Sequence, residues 1–79
     1  MRWIENIPNK DFTINIYHHQ ERYILKFEAG PMEQTYKIPQ GLRPDAESTK
    51  AILTPEFLEG IRQQFNTMYL LLKKELDKG

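Results

Sequence analysis

Apolar and polar positions alternate through the first half of the chain and change to a helical period in the second half. From Phe12 to His18, the residues Phe12, Ile14 and Ile16 fall on one side of an extended backbone, with Thr13, Asn15 and Tyr17 on the other. This is the pattern of a half-buried strand. Residues 22–28 repeat it, with Tyr23, Leu25 and Phe27 on one face and Arg22, Ile24, Lys26 and Glu28 opposite. Residues 32–38 make a third strand, in which Tyr36 and Ile38 share the apolar face, and Pro39 and Gly41 end it. A two-residue loop at His19–Gln20 sets Ile16 against Tyr23, Ile14 against Leu25 and Phe12 against Phe27. A slip of one residue would turn one apolar set toward water, so the parity of the pairing is specified. The turn is specified less well, because His-Gln is not a favoured hairpin pair, and a slightly longer loop of the same parity is equally acceptable. Ala29-Gly30-Pro31 marks the second turn: Gly30 tolerates positive φ, while Pro31 fixes its own φ and lacks a donor. Residues 2–6 read as a fourth strand joined through Pro8-Asn9-Lys10-Asp11, or else as an apolar plug of Trp3, Ile4 and Ile7 at the sheet edge.

Residues 40–53 form a connector in which Pro44-Asp45-Ala46-Glu47 can start one helical turn. It is expected to cross an end of the sheet, held down by Leu42, Ile52 and Leu53. A helix is expected over 55–77. Thr54 is a good N-cap, Pro55 suits the first helical position and Glu56 complements the helix dipole. Leu58, Ile61, Phe65, Met68 and Leu72 follow at spacings of three and four, and Phe57, Tyr69 and Leu76 widen that stripe. Gly60 is expected where the helix crosses the sheet closely. The fold class is therefore α+β: a three- or four-stranded antiparallel β-meander over 1–39, the connector, and one long C-terminal helix over 54–79, together making a single domain.

The helix is longer than the sheet it covers. At about 1.5 Å per residue it spans roughly 35 Å, against roughly 23 Å for a seven-residue strand. Its far end, Met68-Tyr69-Leu70-Leu71-Leu72, is apolar around most of the circumference. A helix apolar all round is buried on more than one side, and two-fold dimers are the commonest assembly. Met68, Tyr69, Leu70, Leu71 and Leu72 are thus the candidate interface of a homodimer. The alternative is that Leu70 packs under the N-terminal segment with Trp3.

Composition removes several function classes. The 79 residues include no Cys, so neither a disulfide, a thiolate metal site nor a Cys nucleophile exists. Eleven basic and eleven acidic residues cancel over the whole chain and within each half, which argues against a general attraction to nucleic acid or anionic membrane. The N-terminal stretch has no long apolar run of the signal-peptide kind, and the longest apolar stretch is far shorter than a membrane span. The expected location is the cytoplasm, with no membrane association. His18 and His19, the only histidines, point to opposite faces if they lie on a strand and cannot easily grip one metal. Glu28 and Glu33 face each other near a hairpin tip, where solvent screens their interaction. Catalytic residues, metal ligands and cofactors are therefore expected to be absent, and the protein is expected not to be an enzyme.

The outward sheet face carries Tyr17, Arg22, Ile24, Lys26 and Lys37, with Thr13, Asn15 and Thr35 between them. An aromatic among basic residues on an open sheet can take a single nucleic-acid strand by stacking and phosphate contacts. In its order of elements, four strands and then a helix, the chain resembles the single-stranded-DNA-binding modules of the transcriptional-coactivator, Whirly and Pur-alpha type, which also dimerise through their helices. The resemblance is of element order, with no family motif matched residue by residue. The same face, or an exposed strand edge, can instead bind a protein. The sequence thus points to a non-enzymatic binding or assembly domain acting as a homodimer through its C-terminal helix, with a single-strand nucleic-acid module as the alternative.

Overall fold

The computed structural model describes residues 1–78. It consists of a four-stranded antiparallel meander followed by two helices, in the order β1 (Arg2–Ile7), β2 (Thr13–His19), β3 (Arg22–Ala29), β4 (Met32–Pro39), α1 (Ala46–Lys50) and α2 (Pro55–Leu76). The N-terminal segment is thus a strand rather than a plug, and the long helix ends one residue earlier than its sequence pattern suggests. No helix among the described residues is long and apolar enough to cross a membrane.

The parity expected for the first hairpin is correct, and the register is displaced by two residues from the one a His19–Gln20 loop would set. Ile14 faces Phe27, Ile16 faces Leu25 and His18 faces Tyr23. The loop is Gln20–Glu21, and both residues have positive φ, 48° and 61°. Two successive left-handed residues make the primed turn whose twist matches paired strands. Moving the turn by one residue lets His19 pair with Arg22 and adds a rung to the ladder. In the second hairpin Gly30 takes φ 57° in the loop, and Tyr23 faces Ile38 while Leu25 faces Tyr36.

β1 contains a bulge at Ile4, between Trp3 paired with Tyr17 and Glu5 paired with Ile16. The extra residue changes which side chains share a face. In a regular strand Ile4 would oppose Trp3 and Ile7. With the bulge, Ile4 and Ile7 both pack against the core while Trp3 turns to the outward face.

The core lies between the sheet and α2 and is built on Phe12, Ile14, Ile16, Leu25, Phe27, Ile61 and Phe65. Phe27 sits at its centre, with ring centroids 5.9 Å from Phe12, 5.9 Å from Tyr36 and 6.1 Å from Phe57. Gln34 interrupts the apolar alternation of β4, and both polar atoms of its buried amide are bonded. It donates to the Ile61 carbonyl at 3.2 Å and accepts from the Tyr36 hydroxyl at 2.7 Å, which fixes α2 to β4.

The connector crosses the sheet end that carries the β2–β3 turn: the Gln40 amide bonds to the Glu21 carbonyl, and Lys50 on α1 reaches Glu5 on β1 at 3.1 Å. That hydrogen bond from Lys50 to Glu5 raises the lysine pKa. Asp45 caps α1 in a reciprocal box with Ser48, whose backbone amide donates to the Asp45 carboxylate and holds its pKa down. Ile52 and Leu53 tack the connector to the core as expected, but Leu42 is exposed and holds nothing. Gly60 also differs from expectation. A Cβ placed there meets nothing within 4 Å, so the glycine faces open space and not a close crossing.

Candidate interaction surfaces

α2 begins over the middle of the sheet and runs out past one end of it. Phe57 lies 6.0 Å from Tyr36, and Phe65 lies 5.6 Å from Phe12 at the loop before β2. Beyond that point the sheet is finished. Met68 is half-buried against the molecule's own core, whereas Tyr69, Leu70, Leu71, Leu72 and Leu76 are exposed. Leu72 therefore does not continue the buried stripe, and neither Tyr69 nor Leu76 widens it. Leu70 and Leu71 are each 64% exposed. Trp3 lies on the far face of the sheet, so the alternative in which Leu70 packs beneath it does not occur. The 22-residue helix and its overhang stretch the molecule to 45 × 25 × 19 Å.

A second feature lies on the same helix. Tyr36, Phe57, Gly60 and Ile61, with the polar Thr54, Glu56 and Gln64, line an open hollow between α2 and the β4 edge. Tyr36 is 38% exposed there despite its core-facing parity, and a Cβ added at Gly60 would meet nothing within 4 Å. On the opposite flank Arg62 forms a two-pronged pair with Glu59 and holds that carboxyl pKa below its usual value. α2 thus carries an apolar projection at one end and, near the other, a recess with an aromatic wall and a polar rim. The projection is the one expected from the run Met68–Leu72, whereas the recess has no counterpart in the core stripe. The available signal was the spacing of Phe57, Gly60, Gln64, Thr67 and Leu71, again threes and fours, beside the main stripe.

The outward sheet face gathers Tyr17, Arg22, Ile24, Lys26 and Lys37 as expected, and their roles are now distinct. Tyr17 faces Ile24, which faces Lys37. Ile24 is only 6% exposed, so it supports its neighbours and is not itself a contact surface. Lys26 is 3.7 Å from Glu33, which makes the hairpin-tip half of the face mixed in charge together with Glu28. Arg22 and Lys37 lie toward the other half. There the bulge adds Trp3 across from Tyr17, with its indole N–H donating to Asn15 at 3.0 Å and 56% of the residue exposed. Asn6 holds the same Asn15 oxygen at 3.3 Å and the Ile14 carbonyl at 3.1 Å, which anchors β1 locally. Trp3 is the residue that sequence reasoning missed on this face, since only a bulge puts it there.

The histidines diverge as adjacent strand residues must. His18 is half-buried on the helix side of the sheet, with its ring 5.0 Å from Tyr23 and Nε2 3.1 Å from the Gln40 side-chain oxygen, while His19 is exposed on the outward face. His18 is therefore partly enclosed. Among the described residues, no three of His, Asp and Glu gather in a metal-binding group. Of the two free sheet edges, β1 is interrupted by its bulge, and β4 carries Glu33, Lys37 and Pro39, all features that discourage edge pairing. Comparison of the chain with protein-family models, with curated proteins and with solved structures returned no match.

Proposed function

We propose that this protein is a non-enzymatic assembly domain that works as a homodimer joined through the C-terminal half of α2. The observation that carries this reading is the run Tyr69–Leu72 with Leu76, exposed on a well-formed helix that extends beyond its own sheet. Fully burying a leucine is worth roughly 1.5–3 kcal/mol, so leaving Leu70 and Leu71 in water forgoes a large fraction of what a domain of this size has in reserve. A second copy supplies the same apolar surface and buries both overhangs at once. Because pairing stabilises the folded chain by mass action, the melting temperature is expected to rise with protein concentration across the micromolar range. A melting temperature independent of concentration over that range counts against the reading.

A second reading has one observation in its favour. Trp3 beside Tyr17, with Arg22 and Lys37 on the same open face, provides two π-surfaces and two cations on which a single nucleic-acid strand can stack and pair. Base stacking on one aromatic residue is worth about 1–3 kcal/mol. On this reading a labelled oligothymidine binds at low salt, releases as salt rises, and loses at least tenfold in affinity with Trp3→Ala. Absence of binding at low salt removes it.

A further inference from the structure

Gly60, Gln64, Thr67 and Leu71 recur on α2 at spacings of four, three and four and are all exposed, so with Phe57 they form a second stripe beside the one that faces the core. Its two ends are complementary in shape. At Gly60 there is the hollow bordered by Tyr36 and Phe57, where an added Cβ meets nothing within 4 Å. At Leu71 there is a projecting side chain, 64% exposed. The ends are complementary in charge as well. Glu56 flanks the stripe in the first turn of the helix, and Lys74 lies on the same flank in the last; neither has an ion-pair partner among the described residues.

Resting on the dimer reading above, we infer that α2 pairs antiparallel with α2 of a second copy, and that Leu71 of each copy seats over Gly60 of the other, against Tyr36 and Phe57. A two-fold interface demands that one surface fit itself after inversion of direction, and this stripe does so. Placing Gly60 opposite the partner's Leu71 brings Gln64 opposite the partner's Thr67 and sets Glu56 beside the partner's Lys74. The helix dipoles then oppose each other favourably. A parallel arrangement would put the Lys73 and Lys74 pairs of the two copies together, set Leu71 against Leu71 and leave both hollows empty. The antiparallel register carries each overhang beneath the partner's β4 edge, where Tyr36 is exposed. The hollow is thus incomplete in one chain and completed by the other, which gives a purpose to a glycine that weakens the helix on its own.

The chain has no cysteine, so the register can be read by cross-linking. Glu56→Cys and Lys74→Cys are made separately, mixed, and treated with a short bis-maleimide. The expected result is a covalent dimer in the mixture and none with either variant alone, since like positions lie more than about 25 Å apart along antiparallel axes at about 1.5 Å per residue. Cross-linking of each variant with itself overturns the antiparallel register. No cross-link in a mixture that sediments as a dimer overturns the register but not the pairing, and a monomer throughout overturns both. Gly60→Leu provides a second measure. It fills open space in the single chain, so folding is retained, and by occupying the partner's seat it is expected to weaken association at least tenfold. Unchanged association with this variant also overturns the register.

Discussion

Replacing both Leu70 and Leu71 with aspartate is expected to yield a folded monomer. Each side chain is 64% exposed in the single chain, so its own fold loses little. In the proposed pair Leu71 is buried over the partner's Gly60 and Leu70 borders the same contact, and two-fold symmetry removes each of them twice. One leucine's burial is roughly 1.5–3 kcal/mol. Even with partial burial the summed loss exceeds about 3 kcal/mol, which is on the order of a 100-fold or greater rise in the dissociation constant. Four added carboxylates raise it further, since unpaired charge resists desolvation. Analytical ultracentrifugation reads the association and far-ultraviolet circular dichroism reads the fold. Loss of helicity together with loss of mass would show that the residues hold the chain itself together. Unchanged association would place any interface elsewhere.

Phe27→Ala is expected to have the largest effect on the fold. Phe27 is wholly buried and its ring meets Phe12, Tyr36 and Phe57, so it joins β2's entry, β4 and α2 at one point. Truncating such a residue costs about 3–5 kcal/mol, from lost transfer energy plus the cavity left behind. Domains hold only about 5–15 kcal/mol in total, and one this short sits near the low end. Most or all of the stability at room temperature should go. Phe27→Leu keeps much of the volume and should lose less than half as much. Urea titration measures both. A loss of less than about 1.5 kcal/mol for the alanine variant would contradict the placement of Phe27 at the centre of the core.

The meander and its covering helix were legible because both depend on periodicity, which the sequence carries directly. Parity followed from Ile14, Ile16, Leu25 and Phe27, since a one-residue slip would expose an apolar set. The two-residue displacement of the first hairpin was not legible. A shift of two preserves parity, and Gln20–Glu21 gives no signal of the Asn-Gly kind for its positive φ values. The bulge at Ile4 was hidden for a similar reason: alternation alone puts Trp3 and Ile7 on one face, and only pairing against Tyr17 and Ile16 reveals the extra residue. Gly60 was misread because its neighbours on the stripe face the core, whereas its own position lies about a quarter turn away, over the hollow. Of the interaction surfaces, the exposed helix end could be named residue by residue, except that Met68 packs inward. The hollow could not, since it requires Tyr36 from β4 to lie beside Gly60 of α2, a juxtaposition made by the tertiary fold.

Sedimentation equilibrium of the unmodified chain addresses the pairing most directly. At tens of micromolar and moderate salt, the fitted mass is expected to be twice the 9.4 kDa of one chain, falling toward a single chain on dilution. A mass of 9.4 kDa that holds up to several hundred micromolar would contradict the pairing through α2.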